Sequence, residues 1–258
     1  MQQDSILALR ERLGRPLVMG HRGAMGHRPE NTMASFQLAR EMGADAVECD
    51  VHLSKDGHLI VMHDETVDRT TSGHGAIAAL TLEEIKRLDA GSKFAPEFAG
   101  ESVPTLEELL VWAKDKLPVV IELKLGKDAV RIAEACITLV ERLGMGAQVA
   151  FISFDHFVPR EIKKRQPHWQ VGILYVGRLV DPVGAAGAAL ANGMLPQWQF
   201  LTPDLVEAAH RERLWVGVWS PNTEPELRYA IANGADMIGT NYPDRLVAIL
   251  EGMRTSAG

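Results

Sequence analysis

Eight short β-rich runs recur along the chain, each followed by a stretch with helical character. They are Leu17–Met19, Ala46–Leu53, Val119–Leu123, Val149–Ser153, Val171–Tyr175, a weaker one near Leu195–Gln199, Leu214–Trp219 and Asp236–Thr240. This alternation constrains the fold more than any other feature of the sequence. Helical signatures run from Thr32 to Arg40, from Lys127 to Leu143 and from Glu224 to Asn233. The last two stop at Gly144 and Gly234, and glycine is the residue that most readily closes a helix in the left-handed conformation. Eight strand–helix units in about 250 residues have the dimensions of an α/β fold of the (β/α)8 TIM-barrel type. A doubly wound open sheet is the competing arrangement, and the glycine-rich dinucleotide fingerprint that would support it is missing. A single barrel domain over residues 1–258 is expected.

Residues 54–103 do not fit the repeat and read as a hairpin and cap inserted after the second barrel strand. They add a strand, His58–His63, and a helix, Thr81–Leu88. Asp56-Gly57 is a hairpin turn signal, so Ala46–Leu53 and His58–His63 should pair antiparallel about a centre between those two residues. That register sets Asp50 opposite His63. Strand alternation then keeps Glu48, Asp50 and His52 on one side, and Val47, Cys49 and Val51 on the other as a buried set.

Composition limits what such a barrel does. With 46% hydrophobic and 24% charged residues the chain has material for a large core. Lys and Arg number 27 against 34 Asp and Glu, and the net charge of −7 argues against a broad basic surface for nucleic acid or anionic lipid. Any phosphate must therefore be met by local charge. Cys49 and Cys136 are too few for a disulfide framework and too far apart for a local zinc pair, so they read as buried thiols in a reducing compartment. Met1–Arg15 lacks the apolar core of a signal peptide, and the longest small-apolar run, Val183–Ala191, is far short of a membrane span. A cytoplasmic location without membrane insertion follows as the expectation.

Barrel chemistry gathers where strands run out at the carboxyl-terminal face. Here those ends carry His21-Arg22-Gly23, Glu48 and Asp50, Glu122 and Lys124, and the returning His63-Asp64. Three carboxylates without a cysteine suit a hard divalent cation, Mg²⁺ or Ca²⁺, better than zinc. Two histidines suit a reaction that needs an acid and a base near neutral pH. Arg22 and Lys124 are donors suited to a phosphate. The set fits metal-assisted phosphodiester cleavage. Glu30, just before a helix, is placed to steady Arg22, while Asn31 or Thr32 caps that helix. Phe154 and Trp219 sit at strand ends, where they either line the cleft or fill the barrel. His52 and His58 flank the hairpin turn and are expected in solvent, and His27 and His74 belong to loops.

The motifs His21-Arg22-Gly23, Pro29-Glu30-Asn31-Thr32, Glu48-Cys49-Asp50-Val51, Lys55-Asp56-Gly57, His63-Asp64, Arg69-Thr70-Thr71, Pro104-Thr105-Leu106 and Ile121-Glu122-Leu123-Lys124 occur in this order. Together they resemble the glycerophosphodiester phosphodiesterase family of the bacterial cytosolic type. The resemblance continues more weakly through Ser153-Phe154, His210, Trp219 to Asn222 and Gly234-Ala235-Asp236, and covers roughly residues 17–247. It implies hydrolysis of glycerophosphodiesters to sn-glycerol 3-phosphate and an alcohol. It further implies a cation on Glu48, Asp50 and Glu122, His21 and His63 as acid and base, and Arg22 and Lys124 on the phosphate. In the related mechanism the neighbouring glycerol hydroxyl attacks phosphorus, a histidine protonates the departing alcohol, and water opens the cyclic phosphate.

Three departures stand out: Asn241 where an Asp is common, Arg213 where a Gly is frequent, and Ser220-Pro221 in place of Thr-Val. They are expected to affect the leaving-group side of the cleft and to leave the metal and acid–base residues untouched. The competing activities are a lysophospholipase D or sphingomyelinase-like lipid phosphodiesterase, and a non-catalytic barrel that binds phosphorylated ligands. The first calls for a long apolar channel that the insertion, with Lys93, Glu97 and Glu101, does not supply. The second has no use for paired acid–base groups. A metal-dependent sugar isomerase would keep the carboxylates but has no need of Arg22 and Lys124 together.

Overall fold

The computed structural model describes residues 6–124 and 128–255. Strands β1 (Leu17–Gly20), β2 (Ala46–Leu53), β4 (Val119–Leu123), β5 (Val149–Ser153), β6 (Gln170–Tyr175), β7 (Gly193–Pro196), β8 (Trp215–Trp219) and β9 (Met237–Thr240) pair in parallel, and β1 meets both β2 and β9. The eight strands therefore close into a (β/α)8 barrel. β3 (Leu59–Val61) adds to β2 antiparallel, outside the closed ring. Around the barrel lie α2 (Met33–Glu41), α4 (Leu106–Ala113), α5 (Ala129–Leu143), α6 (Phe157–Arg165), α7 (Pro182–Ala188), α8 (Pro203–Arg211), α9 (Glu224–Ala232) and α10 (Pro243–Thr255). α1 (Ile6–Leu13) packs Ile6, Leu7 and Leu9 against the apolar filling of the barrel.

Two apolar layers follow from the two-residue period of the strands. Leu17, Met19, Ala46, Val120, Ala150, Ile152, Leu174, Leu195, Trp215 and Met237 fill the barrel. The alternate residues, among them Val18, Val47, Cys49, Val51, Val119, Ile121 and Phe151, pack outward against the helices. Cys49 thus belongs to the outer core, and both cysteines are free and buried. The inward row of β2 starts at Ala46 and continues with Glu48 and Asp50; that of β4 passes from Val120 to Glu122. Each row changes from apolar to acidic toward the carboxyl-terminal end, which sets a charged mouth on a greasy barrel.

Helix ends follow local chemistry. Thr32, Thr81 and Thr105 cap α2, α3 (Leu82–Lys86) and α4, the last two with reciprocal Glu84 and Glu108 capping boxes. Gly144 closes α5 with φ 66°. The expected start of that helix at Lys127 falls outside the described residues. The weak strand sits two residues earlier than expected, at Gly193–Pro196, because Trp198–Phe200 turns as a 3-10 helix. Its first residue packs under Trp215, where a Cβ would lie 2.0 Å from the indole.

Between β3 and α4 the chain builds α3 and short 3-10 turns at Ile77–Ala79 and Pro96–Phe98 around a separate cluster of Ile60, Met62, Val67, Ile77, Ile85, Ala90 and Val103. The hairpin register differs by one residue from expectation. His52 faces Ile60, and Met62 N donates to the Asp50 carbonyl, so Asp50 lies opposite Met62 and not His63. The loop is the reason. Ser54 N donates to His58 O and Gly57 N to Ser54 O, leaving a three-residue loop with Gly57 left-handed at φ 87°. A one-residue slip swaps the sides of a strand, so cross-strand pairing does not bring His63 to the carboxylates. Among the described residues no helix is long and apolar enough to cross a membrane.

Candidate active site

The turn after β1 is the first wall of the site. Arg22 is left-handed at φ 51°, a conformation that costs a side-chain-bearing residue about 1–2 kcal/mol. Contacts on every side hold it there. Arg22 N donates to Glu48 Oε2 (2.9 Å), and the Arg22 carbonyl accepts from Asn31 N (3.1 Å) and Ser35 Oγ (2.9 Å). Gly23 follows at φ 80°, where a Cβ would lie 2.4 Å from Ser35 Oγ. The strained turn delivers His21 and Arg22 together to the mouth of the barrel.

Glu48, Asp50 and Glu122 each offer a carboxylate oxygen, and these oxygens lie within 4.8 Å of one another. β2 and β4 pair Asp50 directly with Glu122, which accounts for the closeness. Two cations partly offset the cluster. Lys124 Nζ lies 2.6 Å from Asp50 Oδ1 and 2.6 Å from Glu122 Oε1, and Arg22 Nε is 3.3 Å from Asp50 Oδ2. Asn31 Nδ2 donates to Asp50 Oδ2 at 2.8 Å, so Asn31 orients a carboxylate while Thr32 alone caps the helix.

The three acids are not electrostatically alike. Burial, with the neighbouring Asp50 and Glu122 charges, pushes Glu48 well above the usual carboxylate range. Burial and Asp50 push Glu122 up to about 7. Burial would also raise Asp50, but Lys124 and Arg22 outweigh it and hold its carboxyl far below the usual range. Glu48 Oε1 is buried without a hydrogen-bond partner. A buried, unpartnered carboxylate oxygen beside two further carboxylates is what a hard divalent cation satisfies, so the residues fit such an ion.

The two histidines differ in what holds them. His21 Nδ1 donates to Asn241 Oδ1 (2.7 Å), and burial with the nearby Arg22 lowers the ring's pKa to about 4. His63 Nδ1 donates to the Asp64 carboxylate (2.7 Å). The His63 carbonyl accepts from His52 Nε2 (3.0 Å), and the His63 ring is close enough to help lower the pKa of Asp50. His52 is therefore buried, at 8% exposure, and does not lie in solvent as its place beside the turn suggests. His27 binds Asp244, and His74 binds Asp68.

Glu30 Oε1 accepts from Arg22 Nη1 at 2.9 Å. Phe154 and Trp219 meet edge to face with centroids 5.5 Å apart, half-buried at the ends of β5 and β8, and both touch the barrel filling. Asn241 corrects the expectation that the departures leave the acid–base residues untouched, since its side chain holds His21. Its backbone N–H donates to Asn222 Oδ1 (2.8 Å), which also accepts from Thr240 Oγ1 (3.2 Å), so the loop after β9 is fixed.

The model of the glycerophosphoryl diester phosphodiesterase family matches residues 21–245. The chain belongs to this family. It is 42% identical over 237 residues to a glycerophosphodiester phosphodiesterase of Caldanaerobacter subterraneus, covering 91% of this chain and 97% of that one. Among solved structures it is similar to the glycerophosphodiester phosphodiesterase of Agrobacterium tumefaciens, with TM-score 0.79, 30% identity and coverage of 90% and 99%. It is also similar to an Oleispira antarctica phosphodiesterase solved with the product sn-glycerol-3-phosphate, with TM-score 0.85, 27% identity and coverage of 93% and 98%.

Asp64, Arg69, Asn31 and Asn241 hold the residues of this mouth in place, and residue-level reading of the sequence did not assign them that role. Asp64 had a signal, since a carboxylate next to a histidine is a ready partner for its ring. Asn31 was masked by its second potential role as a helix cap.

Proposed function

We propose that this member of the glycerophosphoryl diester phosphodiesterase family hydrolyses glycerophosphodiesters, such as deacylated phospholipid head groups, to sn-glycerol 3-phosphate and an alcohol. The observation that carries the reading is one mouth holding three converging carboxylates, two cations, and two histidines whose Nδ1 atoms are both engaged. Engaging Nδ1 leaves each Nε2 as the working atom. Glu48, Asp50 and Glu122 would hold Mg²⁺ or Ca²⁺, whose chemistry is to neutralise charge and polarise a phosphoryl oxygen.

His21, neutral at working pH, takes the proton of the glycerol hydroxyl next to the phosphate as that oxygen bonds to phosphorus. His63, whose ring Asp64 orients through Nδ1, gives a proton to the departing alcohol oxygen as its bond to phosphorus breaks. The second step reverses the roles. His63 takes a proton from water as the water oxygen bonds to phosphorus, and His21 returns its proton to the glycerol oxygen as the ring opens. Arg22 and Lys124 hold the non-bridging oxygens throughout. The segment 54–103 acts as a cap of the same domain. Cys49 and Cys136, free and buried, suit work in a reducing cytoplasm.

The test supplies purified protein with glycerophosphocholine or glycerophosphoethanolamine and Mg²⁺ or Ca²⁺ and follows glycerol 3-phosphate. Release that depends on the cation and disappears in His21→Ala and His63→Ala is the expected result. No product with either cation, or an active double variant, overturns it. Lysophosphatidylcholine is the companion substrate, because Phe157, Val176, Leu179 and Val180 are exposed on segments that follow β5 and β6 on the same face.

A further inference from the structure

Arg69 lies in the insertion, and nothing in the chemistry proposed above uses it. Its guanidinium makes two forks. Nε and Nη2 donate to Asp64 Oδ2 (2.7 Å) and Oδ1 (3.0 Å), and Nη1 and Nη2 donate to Glu30 Oε2 (2.7 Å) and Oε1 (2.8 Å). Each carboxylate has a second task on the same oxygen that Arg69 Nη2 grips. Asp64 Oδ1 accepts from His63 Nδ1 (2.7 Å), and Glu30 Oε1 accepts from Arg22 Nη1 (2.9 Å). A continuous chain of charge-assisted hydrogen bonds thus runs from His63 through Asp64, Arg69 and Glu30 to Arg22.

Resting on the function proposed above, we infer that Arg69 is a positioning residue that fixes the acid–base His63 and the phosphate-binding Arg22 relative to each other. Only a planar guanidinium offers two parallel donor pairs at a fixed angle; an ammonium is a single point charge and cannot set two carboxylates at once. Arg69 also keeps both relays ionised. Its hydrogen bond is the foremost cause of the lowered pKa of Asp64, and with Arg22 it overcomes the effect of burial on Glu30. The Arg69 side chain is 47% exposed, so whatever stability its two forks add is separable from the aim they give His63 and Arg22. The consequence is structural coupling. Glu30 sits on the loop after β1, and Asp64 and Arg69 on the insertion, so the cap is held to the barrel through groups that also aim the reacting side chains.

The experiment compares wild type, Arg69→Met, Arg69→Lys, Asp64→Asn and Glu30→Gln with cation present, measuring kcat, KM, melting temperature and the ¹⁵N signals of the His63 ring. Arg69→Met is expected to lower kcat and raise KM together, with kcat/KM down roughly 10- to 100-fold and little change in melting temperature. Asp64→Asn should act mainly on kcat and Glu30→Gln mainly on KM. Arg69→Lys should fail to restore both, and Arg69→Met combined with Asp64→Asn should lose less than the two single losses multiplied. The His63 signals should shift in Arg69→Met even without substrate. Unchanged kcat and KM in Arg69→Met, or unmoved His63 signals, overturn the inference; so does a loss of activity that only tracks unfolded protein. A wild type inactive on every diester overturns the functional reading instead, and the His63 signals then decide the role of Arg69 alone.

Discussion

Asn241 gives the sharpest handle on the acid–base chemistry. Its amide oxygen accepts a hydrogen bond from His21 Nδ1 at 2.7 Å without adding charge, and burial, with Arg22 beside the ring, lowers the ring's pKa to about 4. Asn241→Asp places a full negative charge about 4 Å from the centre of the ring's charge. At an effective dielectric constant of about 20 that is worth about 4 kcal/mol, or about 3 pKa units. Desolvating the new carboxylate takes back roughly one unit, so His21 should titrate near 6 in the variant. The sign follows from its proposed role. A base works unprotonated, so raising its pKa removes activity on the acid side. The assay is kcat/KM for glycerophosphocholine between pH 4.5 and 9 at one saturating cation concentration, which keeps the cation's field common to both proteins. Wild type should show no His21 limb above about pH 5, and Asn241→Asp a limb near pH 6. An acid limb that does not move refutes the claim that Asn241 sets the state of His21. Higher activity of the variant at pH 5 refutes His21 as the base.

Two further outcomes follow from the buried charges. In the metal-free protein Glu122 titrates near 7 and Glu48 well above its ordinary 4.5, so between about pH 4.5 and 7 the folded Glu122 keeps a proton that the unfolded chain has lost, while His21, lowered to about 4, works the other way up to about pH 6.5. In EDTA the stability of wild type relative to Glu122→Gln, a comparison that keeps the His21 contribution common, should therefore fall as pH rises through that window, and Mg²⁺ or Ca²⁺ should remove the trend; calorimetry showing that difference rise with pH in EDTA contradicts the assignment. Asp50 titrates in the opposite direction, but its folded pKa lies so low that it contributes only below that window. Asp236 accepts from His210 Nε2 (2.8 Å) and Val216 N (2.7 Å) and pairs with Arg10 (3.0 Å) just before β9, at the end of the barrel away from the chemistry. Asp236→Ala should cost about 3 kcal/mol and lower the melting temperature by roughly 6–12 °C while leaving kcat per folded molecule unchanged; a kcat effect without a stability effect contradicts that placement.

The barrel was legible because its signal is periodic. Val47, Cys49 and Val51 on one face of β2 and Glu48 and Asp50 on the other describe a strand with an apolar outer face and an acidic inner row. The same pattern on β4 let Glu122 and Lys124 be placed beside them. The hairpin was less legible, because Asp56-Gly57 marks a turn without saying how many residues the loop contains. Gly57 left-handed in a three-residue loop moves the register by one, and with it the neighbour of Asp50. The long-range partners had no local signal. Asn241 reaches His21 across 220 positions of sequence and Arg69 reaches Glu30 across 39, contacts that barrel closure and the folded insertion create and that no spacing rule encodes.

Charge balance ties the site to its proposed substrate. Three carboxylates against Arg22 and Lys124 leave one negative charge at the mouth, and Glu30 and Arg69 offset each other beside it. Burial first, and then the neighbouring carboxylate charge, keeps Glu48 and Glu122 from ionising readily, while Asp50, in contact with both cations, is held ionised. A divalent cation turns the same mouth one unit positive, which a singly charged phosphodiester neutralises. Hydrolysis converts that diester into a monoester able to carry two negative charges, so the product restores the deficit that the cation had cured. Lys124, which contacts two of the carboxylates, then has competing partners in the phosphate and in Asp50 and Glu122. A site balanced for one negative charge favours a diester over its monoester product, and the excess charge favours product release.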